Sequence, residues 1–342
     1  MSNLKVELEK IVSGEVDSSA KARDFYSNDA SMFELRPDVI VSPKNISDIQ
    51  KIVKYVSDNK EKKPTLSITP RSGGTDMTGG AINDSIIIDM TKHFNQIIEV
   101  DAKTANVQPG VYYRDFEKAT LEHNALMPSF PASRQLCTVG GMVANNSGGE
   151  KSLEFGKTEK FVQELKVVLS DGKEYIVKPL NKKELDEKMK KRTFEGRLYK
   201  QLFKLLDENN KEIKAAKPKV SKDSTGYHLW NVWDPKKKIF DLTQLIVGSQ
   251  GTLGVITDIK FKLVKNPKES GILIIFLNHI DNLGEVINKV LEHKPATFEG
   301  FDNYTLKLSF KLFFDFRKTI GLKQTMKLGL QLIPSLVNFR RG

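Results

Sequence analysis

The chain has one cysteine, Cys137, in 342 residues, which rules out a disulfide framework and a thiolate zinc site and fits a reducing compartment. Long hydrophobic runs are missing too. The longest, Ile272 to Leu277, is far shorter than the roughly 20 apolar residues a bilayer-spanning helix needs. The N-terminal MSNLKVELEKIVSGEVDSS has neither an apolar h-region nor a small-residue cleavage site, so a cytoplasmic location is expected. No GxGxxG, HExxH or HxGxGN pattern occurs. What remains is an ordinary globular composition, 39% hydrophobic and 28% charged, with length enough for two cores.

Lys and Arg outnumber Asp and Glu by 54 to 43, a net charge of +11. Part of the excess lies in runs such as Lys188 to Arg192 (KMKKR) and Lys236 to Lys238. A solvated lysine-rich surface accounts for these runs. Attraction of an anionic cofactor or substrate, or peripheral contact with an acidic membrane face, is the functional alternative. Aromatics are not interleaved with the basic runs and no recognition motif accompanies them, so no nucleic-acid partner is expected.

Hydrophobic periodicity predicts a strand at Val39 to Val41. It also predicts a helix opened by a capping box at Ser47 and Gln50, with Ile49, Ile52, Val53 and Val56 on one face. Strands follow at Leu66 to Thr69, Ser85 to Met90 and Ala105 to Gln108, then a helix over Tyr112 to Asn124. Phe161 to Leu169 and Glu174 to Val177 flank Asp171-Gly172 as a hairpin. A charged insertion begins near residue 181, with surface-mounted helices to about 216, and reaches about 240. Strands return at Leu245 to Val247 and Val255 to Leu263. A buried strand at Ile272 to Leu277, a helix over Asn282 to His293 and a strand near Thr297 open a second α+β domain. The expected organisation is an N-terminal arm (1–32), a main domain (33–265) and a partial domain (266–342).

Three glycine-rich loops carry the chemical information. In PRSGGTDMTGG (Pro70 to Gly80), four glycines permit positive φ and close backbone approach, and successive amides can form an anion-binding nest. This loop runs from strand to strand, unlike Rossmann or P-loop motifs, which lead into a helix. A GKT at Gly156 to Thr158 lacks the Walker glycine, since Lys151 stands in its place. PASRQLCTVGGMVANNSGG (Pro131 to Gly149) brackets small polar residues between glycine pairs, and GSQGTLGVIT (Gly248 to Thr257) precedes a β-branched strand. Three such loops beside apolar β runs point to a dinucleotide held along its length.

The series RDFYSNDASMFELRPDVIVSP, PRSGGTDMTGG, CTVGGMVANNSGGEKSLEFGKTEKFVQELKVVLSDG, KDSTGY and LIVGSQGTLGVIT resembles, in order and spacing, the vanillyl-alcohol oxidase/p-cresol methylhydroxylase family over about residues 22–265. Within that family it is most like the D-lactate and glycolate dehydrogenase branch. The resemblance implies an α+β fold, with an FAD-binding domain of two α/β subdomains followed by the start of an incomplete α+β substrate-cap domain. It assigns Arg71, Ser72, Gly73, Gly74, Thr75, Asp76 and Met77 to the FAD pyrophosphate loop. Ser133, Thr138, Gly140, Gly141, Ala144, Asn145 and Gly148 would lie along the pyrophosphate and isoalloxazine, and Gly254, Val255 and Ile256 near the ribose and adenine. Covalent members carry histidine where this chain has Thr75 and Asp76, so non-covalent FAD is expected, with Cys137 packed and unreactive. Gln250 departs from the glutamate usual in this loop.

The implied activity is FAD-dependent oxidation of a 2-hydroxy acid such as D-lactate or glycolate, with a quinone, cytochrome or partner flavoprotein as acceptor. A flavin-binding fragment or electron-transfer subunit inactive alone, and an alkyl-dihydroxyacetonephosphate synthase-like flavoenzyme, are the alternatives. The histidines (His93, His123, His228, His279, His293) are scattered, so no catalytic base is named and no metal site is expected. His228, beside Tyr227, is expected to be structural. Phe298 to Lys311 resembles the start of the cap, and the basic apolar tail after it reads as an orphaned piece of that cap. A fragment, split gene product or truncated reading frame is therefore expected.

Overall fold

The computed structural model describes residues 3–220, 223, 226–277, 279–305, 307–308, 311–312 and 321. Helix α1 (Asn3–Glu9) leads into β1 (Glu15–Asp17) and α2 (Ala20–Phe25). Then follow β2 (Val39–Ser42), α3 (Ile46–Asn59), β3 (Ile68–Arg71) and β4 (Ile86–Asp89). These strands make a sheet of order β1-β2-β4-β3, with β1 antiparallel at one edge and the rest parallel. VIVS and IIID are buried at every residue, as expected for the inner strands of a parallel sheet covered on both faces. Ile49, Ile52 and Val53 of α3 pack into the same core.

The cap of α3 is Asn45, whose side chain accepts the Asp48 amide, and not Ser47 as the spacing suggested. Asn caps a helix as well as Ser does, and here it lies in extended backbone one residue before the first helical turn. That placement frees the Asp48 carboxylate to reach back to the N-terminal segment. It accepts hydrogen bonds from the amides of Ser13 (2.9 Å), Gly14 (3.0 Å) and Lys44 (2.9 Å). Together with Leu8, which is wholly buried, this fastens the N-terminal segment to the sheet.

The second layer runs β5 (Ile97–Val100), β6 (Thr104–Val107), α4 (Tyr113–Glu122), β7 (Ala125–Leu126), α5 (Val139–Ala144), α6 (Ser152–Phe155), β8 (Val162–Val168) and β9 (Glu174–Val177). After β10 (Pro179–Asn181) come α7 (Lys182–Lys190), α8 (Phe194–Glu208) and α9 (Asn210–Ala215). They are followed by β11 (Trp233–Asp234), β12 (Ile239–Asp241), α10 (Thr243–Ile246), β13 (Val255–Lys262), β14 (Val264–Lys265) and α11 (Leu283–Glu292). An antiparallel sheet of order β5-β6-β13-β8-β9 carries the larger core, with Phe116, Phe130, Leu165, Ile259 and Phe261. Val168 and Val255, at the paired ends of β8 and β13, pack into the core of the first sheet, so the two layers are joined there.

Several expectations change. Residues 245–247 are not a strand; Leu245 and Ile246 lie in α10 and Val247 closes its last turn, donating to the Thr243 carbonyl. A three-residue apolar run cannot distinguish helix from strand, and the Asp241 carboxylate decides it by accepting the Thr243 amide at 3.0 Å. The insertion is not merely surface-mounted, because Leu185, Tyr199 and Leu206 join the larger core. Residues 272–277 are neither buried nor a strand, with Ile272 91% exposed, and Thr297 lies in no strand. A buried strand needs neighbours to bond it, and no described strand pairs with either segment. The helix expected at Asn282 to His293 is present as α11. The chain divides after Thr297 into two compact units, the second being Phe298–Gly342. Most of the basic apolar tail, read above as a piece of a cap, lies outside the described residues.

Burial alone would raise the Asp48 carboxyl pKa, but the amides of Ser13, Lys44 and Gly14 outweigh it and hold it below the ordinary carboxylate value. A depressed folded-state pKa stabilises above the unfolded value, about 3.9, and that contribution fades as pH falls through the folded value. Asp48→Ala, which strands three amides, is expected to cost about 3 kcal/mol. Urea denaturation at pH 7 and below pH 3 measures it, with a smaller difference at the lower pH.

Candidate cofactor-binding site

The three glycine-rich loops, separated by up to 180 positions, come together where the two layers join. The first loop leaves β3 and abuts the second. A Cβ on Gly73 would stand 2.7 Å from the Leu136 carbonyl oxygen, so only glycine fits there. Ser72 Oγ lies 3.4 Å from the Pro109 carbonyl oxygen. Gly74 takes φ +64° over the Arg71 guanidinium, which is 7% exposed and 3.3 Å from the carbonyl oxygens of Tyr26 and Ala81. Arg71 therefore braces the loop from beneath.

Asp76 does the same from within. Its carboxylate accepts from the Thr78 amide (2.9 Å), the Thr78 hydroxyl (2.6 Å) and the Gly80 amide (2.8 Å). Burial pushes its pKa up, but the Thr78 and Gly80 bonds prevail and keep it below the ordinary value. Thr75 is half-buried and Met77 is exposed.

The second loop turns into α5, where Thr138 caps the helix toward Gly141 and Gly140 donates to the Pro109 carbonyl at 2.9 Å. Gly141 is different. A Cβ there would meet only Thr138 Oγ1, at 3.5 Å, so its surface is open to a ligand. Ser133 accepts the Leu136 and Cys137 amides at its carbonyl, and Gly148 packs against Ser152 and Lys157.

The third loop is stapled to the end of α5. Gly248 donates to the Val143 carbonyl at 3.0 Å, and Gln250 to the Ala144 carbonyl at 2.9 Å. Gly251 lies against Pro70 of the first loop, and Gly254 has no room for a side chain beside Val167. Val255 is buried at the start of β13 and Ile256 is half-buried beside it. Gln250 Oε1 and Asp76 Oδ2 stand 3.1 and 3.2 Å from the Cβ position of Gly80. A glutamate at 250 would bring a second carboxylate beside Asp76; the neutral amide avoids that.

Between Asn145-Asn146 and Gly248–Thr252 lies a cavity of about 230 Å3, walled also by Gly226, Tyr227 and His228. It is smaller than the roughly 300 Å3 at the low end for small-molecule pockets, which suits one part of an extended ligand. Of the residues expected at the site, only Asn145 lines this cavity. The motif spacing did not single out Asn146, Tyr227, His228, Gly248, Ser249, Gln250 and Thr252 as site residues. Positive φ at Gln250 (52°) is a backbone signal with no sequence counterpart, whereas Asn146 (47°) is of a residue type that favours the left-handed region. His228 is buried as a structural residue would be, yet it also faces the cavity. The open face at Gly141 and the amide, hydroxyl and imidazole lining fit a polar dinucleotide approached by backbone.

The comparisons agree with this geometry. A family model described as "FAD binding domain" matches residues 37–178. The chain is 30% identical over 85% of its length to glycolate oxidase subunit GlcD of Bacillus subtilis (strain 168), of which it spans 51%. It is 28% identical over 86% of its length to D-2-hydroxyglutarate dehydrogenase of Escherichia coli (strain K12), spanning 29% of that protein. It is 26% identical over 80% of its length to D-lactate dehydrogenase of Anaerostipes hadrus, spanning 46%. The chain thus spans about half or less of these relatives. In fold it is similar to an alkyldihydroxyacetonephosphate synthase structure, with a TM-score of 0.52 and 18% identity over 79% of this chain and 42% of the other. Residues 37–178 thus match an FAD-binding domain, with FAD as the cofactor, and these homologues are a glycolate oxidase subunit and dehydrogenases of hydroxy acids, while the likeness to the synthase structure is one of fold.

Burial pushes the Cys137 thiol pKa up to about 11, so it stays protonated, and poorly nucleophilic, through neutral pH. Iodoacetamide at pH 8 is expected to alkylate the native chain about 100-fold more slowly than the urea-unfolded chain; mass spectrometry of the adduct checks it. Gly73→Ala is expected to destabilise by about 1–3 kcal/mol and to weaken FAD retention. Denaturation midpoints and co-purifying flavin absorbance read the two effects separately.

Proposed function

We propose that this chain is the FAD-binding part of an oxidoreductase that oxidises a 2-hydroxy acid such as D-lactate or glycolate, with the flavin held non-covalently. The convergence of three interlocked glycine-rich loops on one polar cavity carries the reading. The homology to hydroxy-acid dehydrogenases supports the substrate class. Bound FAD supplies the two-electron acceptor for the substrate Cα–H.

The chain's own residues would hold and orient that cofactor. The loop from Arg71 to Met77, the segment containing Ser133, Thr138, Gly140, Gly141, Ala144, Asn145 and Gly148, and Gly254 to Ile256 are the proposed contacts. Arg71 and Asp76 act by bracing their loop. Thr75 and Asp76 offer no histidine for covalent attachment and Cys137 is a buried thiol, both of which support dissociable FAD.

A 2-hydroxy acid also needs a base for its hydroxyl proton and cations for its carboxylate. The region after residue 265 is proposed as the beginning of the domain that supplies them. The proposed location is cytoplasmic, and no helix among the described residues is long and apolar enough to cross a membrane. Lys190, Lys191, Arg192, Arg197 and Lys200 line a groove of about 660 Å3 beside α7 and α8. This groove supports docking of an acidic acceptor protein or an anionic membrane face.

Flavin that co-purifies and then passes an ultrafilter after acid denaturation is the expected result; flavin retained with the polypeptide would overturn non-covalent binding. With the C-terminal half of a relative supplied, D-lactate or glycolate is expected to bleach the 450 nm flavin band anaerobically. An unbleached band with both acids would remove the 2-hydroxy acid assignment.

A further inference from the structure

Residues 26–35, between α2 and β2, form a strap over the first glycine-rich loop. The strap closes on itself. The Leu35 amide donates to the Ser27 carbonyl at 3.0 Å, and Asn28 pairs with Glu34 as an antiparallel bridge. None of its residues belongs to either hydrophobic core. Its contacts go to the loop instead. The Tyr26 carbonyl accepts from Arg71 Nη1 at 3.3 Å, and the Arg71 guanidinium stands 5.1 Å from the Tyr26 ring centroid. The Ala30 amide donates to the Asp76 carbonyl at 3.0 Å. Gly79, at φ +87°, lies against the Phe33 ring, 3.1 Å from where its Cβ would be. The strap thus holds the loop at its start, its middle and its end. Tyr26 is tied to the sheet as well, since its hydroxyl interacts with Asp89 at the end of β4. Burial and then the Asp89 carboxylate push that hydroxyl's pKa above its ordinary value, so it stays protonated.

We propose that Tyr26 and Phe33 are positioning residues for FAD, acting through Arg71 and Gly79 of the first loop. A Cβ on Gly74 would stand 2.5 Å from Arg71 Nη2, so the guanidinium and the loop backbone cannot move independently. The hydrogen bonds of that guanidinium run to Tyr26 in the strap and to Ala81 just past the loop. Without the Tyr26 ring the cation loses the aromatic face that fixes it, and the backbone above it loses its support. Phe33 works at the other end of the loop. It is 59% exposed, so its burial adds little to stability, and its place is explained by the glycine it covers. A loop that its surroundings do not hold must be ordered by its ligand, and affinity falls accordingly.

The inference rests on the FAD reading, and the experiment separates the two. FAD affinity of the full chain is measured by quenching of flavin fluorescence, with apo-protein melting temperature and bound-flavin circular dichroism recorded alongside. Wild type that binds no FAD overturns the cofactor reading and this inference with it. Given binding by wild type, Tyr26→Leu is expected to raise the Kd about tenfold and to alter the flavin dichroism. Tyr26→Phe keeps the ring beside Arg71 and is expected to bind within about threefold of wild type. Phe33→Ala is expected to raise the Kd about fivefold with little change in melting temperature. Val53→Ala, on α3 in the core of the first sheet, supplies the comparison: its melting temperature falls while its Kd stays within about twofold of wild type. A merely structural strap predicts that affinity follows stability across the whole series. That pattern, or binding by both Tyr26→Leu and Phe33→Ala within about twofold of wild type, overturns the inference. Should Tyr26→Leu fail to fold, Phe33→Ala against Val53→Ala makes the same comparison.

Discussion

Two backbone hydrogen bonds, from Gly248 to Val143 and from Gln250 to Ala144, tie the loop before β13 to the end of α5. Everything that makes the site a site depends on that tie. The loop before β13 packs on Pro70 through Gly251, the first loop packs on Leu136 through Gly73, and the second loop is α5's own lead-in. The three loops form a ring in which each rests on another. The ring closes where Val168 and Val255, on strands of the second sheet, pack into the core of the first, so the sheets that carry the loops cannot separate without exposing that core.

Much of this was legible in the sequence, for reasons that differ by element. The parallel strands could be read because burial on both faces demands unbroken apolar runs such as IIID. The hairpin around Gly172 could be read because a turn with φ of +75° writes itself as Asp-Gly. The run at 245–247 was misread because the Asp241 carboxylate, which accepts the Thr243 amide upstream, and not the run's own composition, settles its conformation. The run at 272–277 was misread because apolarity reports a preference for burial, while burial itself depends on what else is present to pack against.

At the candidate site, the glycines are not all small for the same reason. Gly140 and Gly254 are small because protein backbone or side chains press against them, whereas Gly141 is small beside open space. Sequence does not separate these cases. Nor did it reveal that Asn146, Tyr227 and His228 share a cavity, since 81 positions separate Asn146 from Tyr227 and only the folded chain joins them. The GKT dismissed as a chance likeness to a phosphate-binding motif still supplies a cation to this region, because Lys157 sits among the acids under the cavity.

The tight packing of the loops on one another also bears on the thermodynamics of cofactor capture. A loop that a ligand must order subtracts its lost backbone freedom from the binding energy, at about 1–2 kcal/mol per residue. Here the braces under the first loop, from Arg71 and Asp76, and the staples on the third are made within the protein itself. At the proposed site the cofactor would then meet loops that the protein's own hydrogen bonds already hold. Differences in affinity between related chains should therefore lie mainly in how quickly the cofactor leaves.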